Sequence, residues 1–247
     1  MNGQIIILAA GKGTRMNGGG VPKVLVELNQ KPMIEYVLTA VRQIGMEREP
    51  LIVVGFEADK IKDYVGNRAG FVHQTEQLGT GHAVSITREH LAGFDGPIAV
   101  LYGDHPLVKQ ETLQQLFNLH SNNVLTMMTT EVNDFDGWRQ GFYNFGRIIR
   151  DVDESILSIR EVRDCSLGEH KIKEVNPGYY CFDSSWLWQN IDKLRNDNNQ
   201  SEYYLTDLVE LAVKQGIAIN SLKISPVECL GINTKEQLTL VEGLMNV

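Results

Sequence analysis

The N-terminus constrains this chain most. Gln4–Ala9 is apolar and β-rich, and it runs without a polar break into a glycine-rich stretch from Gly11 to Gly20. An unbroken apolar run of this kind is the pattern of a strand buried on both faces of a parallel sheet. Parallel strands need crossover connections, usually helices, and the next residues supply them. Pro32 opens a helix in which Met33, Tyr36, Val37, Ala40, Val41 and Ile44 recur at helical spacing, and Gly45 stops it. Leu51–Val54 and Phe71–His73 are further apolar strands. Gly79-Thr80-Gly81 precedes a helix over His82–Leu91. Ile98–Tyr102 is a fourth strand, ending in Gly103-Asp104-His105-Pro106, and a helix follows from Gln110 to His120. Strand and helix alternating in this way predict an α/β fold, Rossmann-like and doubly wound, with right-handed crossovers and a mostly parallel sheet. Ligands of such sheets lie beyond the carboxyl ends of the strands, where the loops after Ala9, His73 and Tyr102 fall.

The second half is richer in strands. Leu125–Thr130, Phe145–Arg150, Ile156–Ile159 and Val175–Phe182 have strand patterns, with a polar irregular stretch over 164–171. Trp186 and Trp188 lie in a short helix, Glu202–Gln215 in a longer one, Ile217–Ile224 in a strand and Thr234–Met245 in a closing helix. There is no repeat and no low-complexity linker, so 1–247 is expected to be a single domain.

Charge and cysteine usage exclude several classes of function. The net charge of −8 argues against a general nucleic-acid binder or an anionic-membrane binder, either of which would carry a basic excess. No stretch approaches the ~20 apolar residues of a membrane span, and Ile5–Ala10 feeds into glycines as a first strand does, not as a leader does. Cys165, Cys181 and Cys229 are far apart and odd in number, a poor disulfide framework. Free thiols and a cytoplasmic location are expected.

The glycine loop is informative partly through what it fails to match. A G-x-G-x-x-G fingerprint would need glycine at position 16, which is Met16. That sets aside a nicotinamide-dependent oxidoreductase. The P-loop pattern G-x-x-x-x-G-K-[ST] fails around Lys12 as well. What remains is a flexible loop with Lys12, Arg15 and Lys23 close by. Freed backbone N–H groups can cradle phosphates. An arginine can clamp a phosphate through two bonds, and a lysine can supply a point charge. A solvated surface loop with ordinary basic residues fits the same pattern.

The loop does not stand alone. LAAGKGTRM from Leu8, PKVL from Pro22, EQLGTGHA from Glu76, YGDHPL from Tyr102, FGRIIR from Phe145, EVNPGY from Glu174 and EYYLTD from Glu202 occur in that order. Together they closely resemble the uridylyltransferase (pyrophosphorylase) domain of bacterial bifunctional N-acetylglucosamine-1-phosphate uridylyltransferase/glucosamine-1-phosphate acetyltransferases. LAAGKGTRM and PKVL mark the wider sugar nucleotidyltransferase superfamily, and the resemblance runs nearly end to end. It implies a fold of the nucleotide-diphospho-sugar transferase type. In that fold 1–121 would form a nucleotide-binding half, 122–233 a β-rich sugar-binding half and 234–247 a C-terminal helix. It also implies Mg²⁺-dependent transfer from UTP to a sugar 1-phosphate, N-acetylglucosamine 1-phosphate above all, as in the supply of cell-wall precursors.

Roles follow from the resemblance position by position. Leu8, Ala9, Ala10, Gly11 and Gly13 would line the nucleotide, and Gln74, Gly79 and Thr80 would read the uracil, with Gln77 a further candidate. Arg15 and Lys23 would be catalytic, stabilising charge on the transferring and leaving phosphates. Asp104 and Asn233 would hold Mg²⁺, whose demand for hard oxygens and few protein ligands suits the pair. Tyr102, Gly146, Glu161 and Asn176 would recognise the sugar, and EYYLTD, with Tyr203 and Tyr204, would pack a helix beside it. His105 is taken as structural.

The chain also departs from the family pattern. Asn17-Gly18-Gly19-Gly20-Val21 is one residue longer and more flexible than the usual linker before Pro22-Lys23. Pro177 stands where the family has threonine, which removes a donor near the sugar, and Arg163 takes the place of a lysine. The sequence ends at Val247, so the family's C-terminal left-handed β-helix and its acetyltransferase carry no expectation. Two alternatives stay open. One is a nucleotidyltransferase for another base or sugar 1-phosphate, and the other a non-catalytic regulator that binds nucleotide sugars.

Overall fold

The computed structural model describes residues 2–13, 16 and 20–245. Its elements run β1 (Gln4–Ala9), β2 (Glu27–Leu28), β3 (Lys31–Pro32), α1 (Met33–Gln43), β4 (Leu51–Val54), α2 (Ala58–Val65), β5 (Gly70–His73), α3 (Thr80–Ser85), β6 (Pro97–Tyr102) and α4 (Gln110–His120). Then follow β7 (Leu125–Glu131), β8 (Arg147–Arg150), β9 (Ile156–Arg160), β10 (Glu174–Val175), β11 (Tyr180–Asp183), α5 (Ser184–Asn190), α6 (Asp207–Lys214), β12 (Asn220–Lys223) and α7 (Lys235–Met245). The main sheet has the order β5-β4-β1-β6-β11-β7-β10-β8-β9, with β12 on β7. In the first half β5, β4, β1 and β6 pair in parallel. From β11 onward the path turns antiparallel.

Strand β1 shows why its sequence is apolar from Ile5 to Ala9. Ile5, Ile7 and Ala9 enter the core on one face of the sheet, with α1 and α4. Ile6, Leu8 and Ala10 enter the core on the other face, with α5 and α6. Both faces are covered, so neither set of alternating positions can be polar. Cys181 and Cys229 are buried and Cys165 is partly exposed, and all are free thiols. Among the described residues no helix is long and apolar enough to cross a membrane.

The structure departs from the sequence reading in four places, each with a physical reason. Helix α2 is invisible to the pattern because only Ala58, Ile61 and Val65 are buried in a charged stretch. Helix α3 ends at Ser85, and the Thr87 hydroxyl bonds the Val84 carbonyl at 2.7 Å, competing with the backbone for it. Residues 202–205 are not helical. The Tyr203 N–H bonds the Leu78 carbonyl at 2.8 Å, and the Tyr203 carbonyl accepts from Gly81 N–H at 2.8 Å. Those lateral bonds hold the segment extended, so α6 starts only at Asp207.

The fourth departure matters most for the site. The run Val175–Phe182 is two strands, broken over 176–179. Val175 pairs with Arg147 of β8, while Tyr180 pairs with Val100 of β6. The sheet forks there. The break is held by Gly178 at φ +86°, where a side chain would collide with the Tyr102 ring, and by Asn176 Oδ1, which accepts from Gly178 N–H at 2.9 Å.

Candidate active site

Two adjoining clefts open at the carboxyl ends of β1, β5 and β6. The first, about 440 Å³, is lined by Leu8, Ala9, Ala10, Gly11, Lys23, Gln74, Gln77, Gly79, Thr80, Tyr102, Asp104, His105 and Asn233, among others. The second, about 230 Å³, is lined by Gly146, Glu161, Asn176, Pro177, Gly178, Tyr204 and Thr206, and shares Thr80, Tyr102, His105 and Glu202 with the first. Larger hollows of about 710 and 720 Å³ lie elsewhere. The former opens at Pro97, the starting end of β6, where a doubly wound sheet presents no ligand site.

Glycines shape the first cleft. Gly13 has φ +59°, and a side chain there would press on the Lys23 Cβ at 2.6 Å. Gly79 has φ +107°, and a side chain there would meet the Tyr203 carbonyl at 2.7 Å. The QLGTG loop and the EYYLTD segment therefore approach closely because glycine lets them. Thr80 Oγ1 adds a bond from Leu205 N–H at 3.1 Å. Gln74, 5% exposed, donates to the Gly79 carbonyl at 3.3 Å and pairs with His82 Nδ1 at 3.1 Å. Those bonds occupy its amide hydrogens and leave Oε1 as an acceptor. Gln77 donates to the Ala10 carbonyl at 3.0 Å, tying its loop to the end of β1.

In the first cleft, next to His105, which borders both, three polar side chains converge. The Lys23 ammonium donates to Asp104 Oδ2 and, at 2.8 Å, to Asn233 Oδ1. Asn233 arrives from the far end of the chain because Ile232 N–H bonds the Asp104 carbonyl at 3.0 Å. Burial acts to raise the Asp104 pKa, but the groups led by the Lys23 charge and its hydrogen bond outweigh it, and the net shift is downward. The carboxylate is charged at neutral pH. This corner also suits a hard cation. Two oxygens from Asp104 and Asn233 already hold one positive group between them. Among the described residues no cluster of three or more His, Cys, Asp or Glu exists to hold a metal by itself. Mg²⁺ uses few carboxylates and completes its shell with water and phosphate oxygens, so two protein oxygens would be enough to hold it.

The second cleft lies at the fork in the sheet. Asn176 Nδ2 donates to Tyr180 Oη at 2.6 Å, and Asn176 N–H bonds the Gly146 carbonyl at 2.9 Å. Arg147, fully buried, donates to the carbonyls of Phe145 and Tyr143 and so fixes the loop that carries Gly146. Glu161 accepts from Thr206 Oγ1 at 3.1 Å. Burial first, with Asp207 and Asp164 adding to it against the Thr206 bond, raises the Glu161 pKa. Tyr204 lines the cleft with its hydroxyl on Gln200 Nε2 at 2.7 Å, whereas Tyr203 serves through its backbone.

Most of the residues singled out from sequence thus come together. Arg15 lies outside the described residues. Gly13 acts on the first cleft by abutting Lys23 and does not line it. Sequence reasoning missed Thr206 and Gly178, which line the second cleft, and Tyr179 and Tyr180, which bond His105 and Asn176 from behind; His105, expected to be structural, lines both clefts. Gly178, two residues after Asn176, was the available signal for the sheet fork.

The comparisons with known proteins fit this geometry. The chain is 39% identical over 236 residues to the bifunctional protein GlmU of Acetivibrio thermocellus, covering 94% of this chain and 49% of that protein. It is 38% identical over 248 residues to GlmU of Clostridioides difficile, covering 99% and 52%. It is 39% identical over 245 residues to GlmU of Clostridium novyi, covering 98% and 52%. The chain therefore spans about half the length of these curated relatives. A crystal structure of UDP-glucose pyrophosphorylase complexed with UDP-glucose superposes with a TM-score of 0.74, covering 100% of this chain and 99% of that one. At 19% identity it establishes the shared fold. The model of the MobA-like NTP transferase domain matches residues 5–203, and the chain belongs to that nucleotidyltransferase family.

Proposed function

We propose that the chain transfers a uridylyl group from UTP to a sugar 1-phosphate, with N-acetylglucosamine 1-phosphate as the preferred acceptor and Mg²⁺ as cofactor. The observation that carries this reading is the convergence of Lys23, Asp104 and Asn233 in the first cleft, next to His105, which borders both clefts. A triphosphate in the first cleft and a sugar phosphate in the second would bring their phosphates to that point.

The chemistry asks little of a general base, because the attacking phosphate oxygen is already an anion. A bond forms from that oxygen to the α-phosphorus. The bond from the α-phosphorus to the oxygen bridging to the β-phosphorus breaks, and pyrophosphate leaves with the electron pair. Positioning and charge neutralisation then dominate. Asp104 and Asn233 would hold Mg²⁺, which when bound supplies positive charge to the phosphate oxygens. Lys23 neutralises charge on the same phosphates, and Arg15 is proposed for the same role. Gln74 Oε1, an acceptor, suits the N3–H of uracil and disfavours cytosine, which has no proton there. Glu161 and Asn176 would accept and donate to sugar hydroxyls and the acetamido group. Pro177, buried in the second cleft, offers no N–H, and that favours testing other sugars alongside.

The test is pyrophosphate release with Mg²⁺, the four common ribonucleoside triphosphates and dTTP, against a panel of sugar 1-phosphates. Release with UTP and N-acetylglucosamine 1-phosphate supports the reading in full. Release with UTP and a different sugar moves the acceptor, and silence with every pair rejects catalysis.

A further inference from the structure

His105 is not simply packing. It is 7% exposed, its ring stacks on Tyr102 at 5.2 Å, and Tyr179 meets it edge-on at 5.4 Å. Its Nδ1 lies 2.9 Å from Tyr179 Oη. Tyr179 Oη also donates to the Glu228 backbone carbonyl at 3.1 Å. A carbonyl can only accept, and a phenol has one hydrogen. That hydrogen goes to Glu228, so the proton between His105 and Tyr179 must come from Nδ1. In the neutral ring Nε2 then carries a bare lone pair.

That lone pair has an unusual neighbour. Nε2 lies 4.0 Å from Asp104 Oδ1, while Lys23 sits on the other carboxylate oxygen. Two acceptors side by side in a buried corner repel unless something positive joins them. The corner is also kept clear of side chains. A Cβ on Gly231 would lie 2.5 Å from His105 Nε2 and 3.6 Å from Asn233 Nδ2. With metal–ligand bonds of ~2.1 Å, one cation joins donors between ~3 Å (adjacent) and ~4.2 Å (opposite) apart. The observed 4.0 Å falls in that interval.

We propose that His105 Nε2 is a nitrogen ligand to the divalent cation held by Asp104 and Asn233, and that the site therefore favours Mn²⁺-type cations over Mg²⁺. An imidazole ligand raises affinity for transition metals and adds little for Mg²⁺. Tyr179 is the positioning residue that fixes the ring's tautomer, the usual role of a partner behind a ligating histidine. This inference rests on the metal-dependent reading of the site above.

The experiment is Mn²⁺ titration of the intact protein, alone and with UTP, followed by pulsed electron paramagnetic resonance of the bound Mn²⁺. The expected result is ¹⁴N modulation from a directly bound imidazole. Growth on ¹⁵N-histidine should convert it to the ¹⁵N pattern without any substitution that could disturb folding. His105→Leu should abolish it and weaken Mn²⁺ binding ~10-fold or more, with a smaller change for Mg²⁺. Mn²⁺ bound without nitrogen modulation overturns this inference and leaves the metal-dependent reading standing. No Mn²⁺ bound under either condition overturns both.

Discussion

Lys23 and Asn233 stand 210 positions apart in sequence and meet at 2.8 Å, with the Asp104 carboxylate on the same ammonium. The contact places the loop after β1 and the segment before α7 on one charge. It also explains how a carboxylate only 7% exposed stays ionised.

Removing that ammonium should reveal its structural share. Lys23→Met leaves Asp104 buried without its nearest cation, which should cost about 3 kcal/mol, as breaking a buried pair does. Mg²⁺ should then stabilise the variant more than the wild type, because it restores positive charge at the same oxygens. Thermal unfolding with and without Mg²⁺ reads both effects. Equal stability and equal response in the two proteins would show that Lys23 does not offset the Asp104 charge.

Asp104→Ala separates chemistry from folding. The Asp104 carbonyl keeps its bond to Ile232 N–H, so the loop should hold its shape. Turnover should fall ~10³-fold or more, because both the cation and Lys23 lose their shared anchor. Circular dichroism should stay that of the wild type, and near-normal pyrophosphate release would remove Asp104 from the metal assignment.

Gly178 tests the fork in the sheet. Its φ is +86°, and an alanine methyl would lie 2.3 Å from Tyr102 Cε2. Gly178→Ala should destabilise by about 2–4 kcal/mol, from backbone strain and overpacking together. Tyr102 borders both clefts but Gly178 lines only the second, so KM for the sugar phosphate should rise more than KM for UTP. Urea unfolding and steady-state kinetics check the two parts, and equal rises in both KM values would argue that the fork does not shape the sugar cleft.

What the sequence revealed followed the strength of its local signals. Strand β1 was legible because both faces are buried, and α4 because its apolar stripe and its ends are sharp. The helix predicted across Glu202–Leu205 was illegible as an extended segment, because its backbone bonds go to Leu78, Thr80 and Gly81, some 120 positions away. Asp104 and Asn233 were nameable through a resemblance, but nothing local to either residue announces that Lys23 joins them. His105 shows the limit most clearly. A histidine after a strand is ordinary, and its orientation depends on Tyr179 and on the Glu228 carbonyl, both remote in sequence.

Asp207 gives a prediction that depends on pH. Burial first, then Glu210 and Asp164, push its pKa from 3.8 up to about 6. The folded protein therefore holds this proton more tightly than the unfolded chain does. The stability contributed by protonated Asp207 is fully present below about pH 4 and is lost as pH rises to about 6, beyond which a constant penalty remains. A shift of about two units corresponds to about 3 kcal/mol, and solvent screening at this partly exposed position reduces it to about 1–2 kcal/mol. Asp207→Asn removes the penalty and keeps the side chain's shape at the start of α6. The lost interaction with the helix dipole opposes the gain by about 0.5 kcal/mol. The variant should thus be more stable than the wild type at about pH 7.5, with the difference vanishing near pH 4. Urea midpoints at the two pH values decide it. A variant less stable at the higher pH would mean that the Asp207 carboxylate is held by a favourable partner, and that burial and its acidic neighbours do not control its charge.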